Sequence, residues 1–310
     1  MPIDPQTTLL LSATGNMFDD WEVPALAREA IFEYVRGIET AAVLCESRAE
    51  TLTGECVGRF AQVFDDRLTG IGIGVESANP GILKFCVNKE LDLGVFRDAV
   101  GLMAEHNVQS TANVLLGIPF LSEDESIRDA SSSLISVLDL GADQGILFPV
   151  LVRPHTVVGW LWEHGLYEPS SLWSLVEVLL RLGPERARHV TISWYKDYYA
   201  GDIREEELGS LPVLAAPTTC PSCIDRVMSH LDAYRDSGDF GVVRTLDSLS
   251  CACHDAWRER VSRPQGVALP ARLIESYELM ARGVLGDAWW EEHGTLVAQD
   301  VTASKPSAGY

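Results

Sequence analysis

The chain of 310 residues carries 45 acidic against 24 basic side chains, a formal charge of -21, and is 46% hydrophobic. That length and apolar content suffice for one large domain and a smaller one, and exclude a disordered or fibrous chain. The charge repels phosphate backbones and anionic lipid, so unaided binding to nucleic acid or a membrane surface is disfavoured unless a basic partner subunit compensates.

The N-terminal MPIDPQTTLLL lacks a basic n-region, and its apolar run is too short for a signal peptide or membrane span, which makes the cytoplasm the expected location. Thr7 to Ser12 is a short apolar strand leading into Ala13-Thr14-Gly15-Asn16-Met17-Phe18. Pro24 sits in the first turn of a helix ending near Arg36, with Leu26, Ala27, Ala30, Ile31 and Tyr34 as its expected buried stripe. Ala41 to Cys45 is the next strand, closed by Glu46-Ser47-Arg48, and a helix follows from Thr53 to Asp65. Gly70 to Val75 alternates Gly with Ile and Val and stops at Glu76-Ser77, as a buried strand delivering polar groups at its C-terminal end does. The alternating glycines predict close packing of a helix on the strand. They are not a dinucleotide loop, which needs Gly-x-Gly-x-x-Gly at a helix N-terminus.

Helical patterns then span Gly81 to Val87 and Asp92 to Glu105, and a strand from Ser110 to Leu116 ends in Gly117-Ile118-Pro119-Phe120. Strand, helix, strand with short polar links is a βαβ unit, whose strands run parallel and whose functional groups collect at strand C-termini. Glu76, Ser77, Asn113 and Gly117 are the candidates placed there. Ser122-Glu123-Asp124-Glu125 is a capping box opening a helix that Gly141 ends. Gln144 to Val152 is a strand that Pro149 confines to its own end. Trp160 to His164 and Ser171 to Leu182 are helical, and Thr191 to Tyr195 reads as a last strand. Beyond Asp197 the character changes: acidic residues from Asp202 to Glu207, breaks at Pro212 and Pro217, two close cysteine pairs, a helix from Ile224 to Tyr234, and an amphipathic helix from Ala271 to Leu285. The expected division is 1–197, a partial parallel (β/α) barrel in an α/β fold, and 198–310, a metal-binding and helical region. The tail from Ala303 is small and polar, as disordered ends are.

GIGVES, CVNKELDLGVFRDAV and LLGIPFLSEDESIRDA resemble the fourth and fifth strand-helix units of radical S-adenosylmethionine (SAM) enzymes of the elongator-like branch. Within that branch the likeness is nearest to the radical SAM proteins of archaeosine biosynthesis, and it extends from about residue 7 to 260 through GNMFDDWEVP, ESRAET and FPVLVRPHTVVGWLWEHGLYEPSSLWS. The resemblance implies a barrel whose mouth holds SAM: Gly15, Asn16 and Arg48 at its amino-acid end, Glu76 on the ribose, Pro149 and Val150 at the adenine, with Ser77 and Asn113 beside them. A bland alternative for Arg48 is an ion pair with Glu46. In intact family members a [4Fe-4S] cluster cleaves SAM and the resulting 5'-deoxyadenosyl radical takes a hydrogen from substrate. The cluster's Cys-x3-Cys-x2-Cys loop occurs nowhere in this sequence, and Gly15-Asn16-Met17-Phe18 matches the family's second strand, so its first strand-helix unit is not among these residues. The expectation is a radical SAM-like protein related to tRNA-base modification or small-molecule biosynthesis, enzymatic if the cluster loop is supplied upstream or by a partner. The rival is a non-catalytic scaffold or binding subunit of such a complex.

Seven cysteines point to thiols and metal rather than a disulfide framework. Cys220-x2-Cys223 and Cys251-x-Cys253 together supply four thiolates with the spacing of a structural zinc site, closed and without a position for catalysis. His254 is a secondary replacement for Cys253. Cys45, Cys56 and Cys86 lie too far apart to imitate a cluster loop and read as small buried hydrophobes. Arg153 and His155 are possible substrate contacts, although His155 reads first as a surface histidine. Trp160, Trp162 and Trp173 read as packing residues.

Overall fold

Strand and helix alternate much as the apolar periodicity predicts, in a computed structural model that describes residues 7–11, 15–193, 195 and 212–303. The elements in order are β1 (Thr8–Leu11), α1 (Ala25–Arg36), β2 (Ala42–Ser47), α2 (Gly54–Val63), β3 (Leu68–Glu76), α3 (Pro80–Ile82, continued by a wide turn over Leu83–Val87), α4 (Leu93–Glu105) and β4 (Gln109–Leu116). Then come α5 (Glu123–Asp139), β5 (Gln144–Pro149), α6 (Val157–Glu163), α7 (Leu172–Ala187, broken at Gly183) and β6 (Val190–Ile192). The remaining helices are α8 (Ile224–Ser237), α9 (Phe240–Asp247), α10 (Ala252–Ser262), α11 (Leu269–Val284) and α12 (Asp287–Ala303). The six strands form one parallel sheet in the order β1-β2-β3-β4-β5-β6, with Thr8 opposite Ala42 and Ala42 opposite Leu68. Sequential order with helical crossovers and two open edges is the topology of a partial (β/α) barrel.

The chain divides into two compact units: Met1–Val75, Leu91–Val114 and Ser136–Ile146 make the first, and Glu76–Glu90, Leu115–Ile135 and Leu147–Tyr310 the second. The expected boundary at 197/198, the acidic run from Asp202 to Glu207 and the tail after Ala303 lie outside the described residues. In the first unit Val43, Cys45, Ile71 and Ile73 of the strands are wholly buried. Beside them Phe18, Phe32, Phe60 and Phe64 pack edge to face, with centroids 5.4–6.4 Å apart. Two expectations change here. The buried face of α1 is Phe32 and Val35, while Leu26 is 88% and Tyr34 75% exposed, because Phe32 is drawn into the aromatic cluster. Gly70 and Gly72 of β3 make room for neighbouring strands rather than a helix: a Cβ at Gly70 would stand 2.7 Å from the Leu44 side chain of β2, and one at Gly72 3.2 Å from Thr111 of β4.

In the second unit both strand-end loops are fastened to α5. After β3, the Ser77 hydroxyl donates to Asp129 Oδ1 (2.8 Å) and the Ala78 N–H donates to Ser133 Oγ (2.7 Å). After β4, the Gly117 N–H donates to Ser126 Oγ (2.6 Å), and Tyr167 donates its hydroxyl to the Gly117 carbonyl (2.8 Å). Gly117 has a φ of 86°, and a Cβ there would meet Ser170 Oγ at 2.9 Å, so the turn requires glycine. The capping box forms as expected: Ser122 N–H donates to Glu125 (2.8 Å) and Glu125 N–H to Ser122 Oγ (3.2 Å).

Candidate functional site

Polar side chains stand at the C-terminal ends of the strands, where a parallel sheet presents them. In the first unit Asn16 is wholly buried. Its Oδ1 accepts from Ser47 Oγ (2.5 Å), Thr51 Oγ1 (2.9 Å) and the Arg48 N–H (3.3 Å), and its own N–H donates to Glu22 (2.7 Å). Asn16 and the end of β2 are thus one construction, with Gly15 exposed beside it. Asn16 Nδ2 is buried and has no hydrogen-bond partner in the structure, which is costly unless a ligand accepts from it. The Arg48 side chain is exposed just past the end of β2. Asn113, on β4, has a buried Oδ1 without a donor.

In the second unit Glu76 ends β3 in the left-handed conformation at φ 66°, unusual for a residue with a Cβ. Its carboxylate stands 3.1 Å from Lys89 Nζ. Ser77 has no exposed surface, and its hydroxyl, bonded to Asp129 and to the Asn79 N–H (3.0 Å), anchors the loop. Pro149 is the last residue of β5, as a proline in a strand should be. The next N–H, of Val150, donates to the Leu116 carbonyl (2.8 Å).

The four C-terminal cysteines come together. The sulfurs of Cys220, Cys223, Cys251 and Cys253 lie within 4.8 Å of one another, with neighbouring pairs 3.4–3.5 Å apart, and all four are free thiols. Four thiolates around one ion at about 2.3 Å sit this close, whereas a four-iron cubane spreads its ligands wider, so the group fits a single metal ion. Cys223 and Cys251 are the N-caps of α8 and α10; as free thiols, burial pushes Cys223 up to about 12, and Cys251 is also raised, its hydrogen bonds with Cys253 and Cys220 contributing. Burial pushes the Cys253 thiol up, but hydrogen bonds from the Cys220 backbone and the Trp173 indole bring it down to about 6. His254 is outside this group, stacked on Trp173 at 3.9 Å and bonded through Nδ1 to the Leu249 carbonyl.

The remaining cysteines do not fit an iron-sulfur cluster. Cys45 is buried in β2 with its thiol pushed up by burial, Cys56 closes a capping box with Thr53, and burial pushes Cys86 up to about 12. Arg153 and His155 flank the start of α6, and His155 is exposed with φ 61°.

One residue the sequence did not single out organises the helices around the four-cysteine group. Glu123 Oε1 accepts from the Ser171 N–H (2.9 Å), Ser174 Oγ (2.6 Å) and the Trp257 indole (3.2 Å), and its Oε2 receives Arg260 (2.5 Å). It joins α5, α7 and α10, and α10 carries Cys253. The only local signal was its place in an acidic first turn, which the capping box already explained.

No family model matches the chain. Three curated relatives do: an uncharacterized protein of Methanocaldococcus jannaschii, 29% identical over 54% of this chain, and archaeosine synthase β subunits of Thermococcus kodakarensis, 29% identical over 79%, and Methanosarcina acetivorans, 23% identical over 82%. The chain spans 46%, 71% and 69% of their respective lengths. Among solved structures, an archaeal Elp3 of Methanocaldococcus infernus is 17% identical with a TM-score of 0.49, covering 73% of this chain and 54% of its own. The radical SAM methyltransferase TsrM of Kitasatospora setae is 11% identical with a TM-score of 0.41, covering 72% and 51%. In sequence, then, the chain is similar to proteins named as archaeosine synthase β subunits, in keeping with the resemblance its strand-end motifs carry.

Proposed function

We propose that the chain is a SAM-binding subunit of an assembly that modifies a tRNA base or builds a related small molecule, working beside a partner subunit. The observation that carries the reading is its kinship, over 79% of its length, with a protein named as an archaeosine synthase β subunit. The unsatisfied polar atoms of the strand ends support it. Residue by residue, and by resemblance, Arg48 holds the SAM carboxylate, Gly15 and Asn16 the rest of the amino-acid end, with Asn16 Nδ2 as a donor in need of an acceptor. Asn113 offers an acceptor in the same state. Glu76 takes the ribose hydroxyls, Pro149 and Val150 the adenine, and Ser77 holds the Glu76 loop to α5. SAM supplies a sulfonium-bound adenosyl group for reductive cleavage where a cluster is present. The thiols of this sequence do not form such a cluster loop, whose ligands would come from residues upstream of it or from a partner. The four-cysteine site is assigned to a structural Zn2+.

Isothermal titration with SAM tests the proposal. Charge-assisted hydrogen bonds to ribose are worth roughly 1.5–3 kcal/mol, so Glu76→Ala should weaken binding about tenfold or more. Equal affinity in the variant refutes the ribose assignment, and no binding by the wild-type chain refutes the SAM reading.

A further inference from the structure

A cavity lies in the helical part of the second unit, and Thr156, Val157, Tyr277 and Met280 line both it and the neighbouring cavity that reaches Val150. Its volume is about 780 Å³, the size of a small-ligand site, and α6, α11 and α12 supply most of its wall. Four aromatic rings line it: Trp160, Tyr277, Trp289 and Trp290. Among the described lining residues the one carboxylate is Glu163, the one imidazole is the exposed His155, and no lysine or arginine contributes. The charge around it has the same sign. The three helices carry seven carboxylates against two arginines. Both arginines are already engaged, Arg272 with Glu125, and Arg282 with Glu278 (2.8 Å) and Asp287 (2.9 Å).

Two of the rings are held by the same local device. His164 stacks on Trp160 at 3.8 Å and bonds through Nδ1 to its carbonyl, and His293 does both to Trp289 at 4.6 Å. Gly283 makes room for the first, since a Cβ there would stand 3.0 Å from Trp160 Cζ2. Rings fixed in this way need little further ordering when a ligand arrives.

A wall of electron-rich aromatic faces with one carboxylate and no competing cation is the composition that attracts a cation with an apolar body. An anionic ligand would meet like charge, and a neutral one would make no use of Glu163. We infer that this cavity binds an organic cation of the alkylated-ammonium class, with its methyl groups against Trp160 and Trp289 and its charge toward Glu163.

The test uses choline and its uncharged isostere 3,3-dimethylbutan-1-ol, titrated into the full chain while the indole N–H resonances are followed by NMR. Choline should shift the Trp160 and Trp289 indole signals and bind at least about fivefold more tightly than the alcohol. Glu163→Gln, at an exposed position where folding is not at stake, should reduce that preference about threefold or more. Equal affinity for the two probes, shifts confined to other tryptophans, binding of neither, or an undiminished preference in the variant overturns the assignment.

Discussion

At the scale of single residues, polar groups that gather several partners decide what the molecule tolerates. Glu123 is the clearest case, because one carboxylate satisfies a backbone N–H, a serine hydroxyl, an indole and a guanidinium. Replacing it by Gln keeps the volume but turns one acceptor oxygen into a donor facing donors. Leaving buried donors unpaired costs about 1–3 kcal/mol, so Glu123→Gln should lower the urea midpoint by the corresponding amount without changing the slope. An unchanged midpoint would mean that water reaches these donors and the hub is a surface feature. Nothing near Glu123 in the sequence announces this role, since its partners are 48 to 137 residues away. Asn16 differs: the resemblance marked the position, but the unpaired Nδ2 that makes it interesting appears only once Ser47 and Thr51 have been brought to its Oδ1.

At the scale of elements, what could be read depended on whether the deciding contact was local. Period-two alternation placed β3, and cysteine spacing placed the close pair Cys220 and Cys223, because two residues three apart meet across one turn whatever the rest of the chain does. The face of α1 could not be read this way. Its sequence carries two apolar stripes, and Phe32 won because Phe18, Phe60 and Phe64 were waiting for it, a tertiary fact invisible to helical periodicity. The same locality gives the metal prediction. Cys223 opens α8 and Cys251 opens α10, so an ion bound by all four thiolates fixes where both helices start. Structural zinc contributes roughly 10 kcal/mol or more of apparent binding free energy to folding at neutral pH. One zinc per chain is expected by elemental analysis, and Cys220→Ser or Cys251→Ser should release it and make 212–303 protease-sensitive while the strands and helices of the first unit persist. A metal-free wild-type chain whose proteolysis is indifferent to a strong chelator would leave the cysteines as packing residues.

At the scale of the whole molecule, charge sets the terms on which a nucleic acid can be approached. A chain at -21 carries nearly two acids for every base, and many of its arginines are already committed to carboxylates, as Arg59 is to Glu29, Arg260 to Glu123 and Arg272 to Glu125. Phosphate binding draws its affinity from uncommitted cations that displace counterions, and ordinary non-specific binding reaches only about 10⁻⁴ to 10⁻⁶ M even for proteins that have them. If the substrate is a tRNA, its phosphates must therefore be held by a basic partner, in keeping with relatives that are named as subunits. We expect the isolated chain to bind tRNA no more tightly than about 10⁻⁴ M at physiological salt, measured by fluorescence anisotropy. Adding a basic partner subunit should bring tRNA and this chain into one complex whose affinity falls steeply with salt. Micromolar, salt-sensitive binding of tRNA by this chain alone would show a basic surface that the net charge conceals, and would remove the need for a partner to carry the RNA.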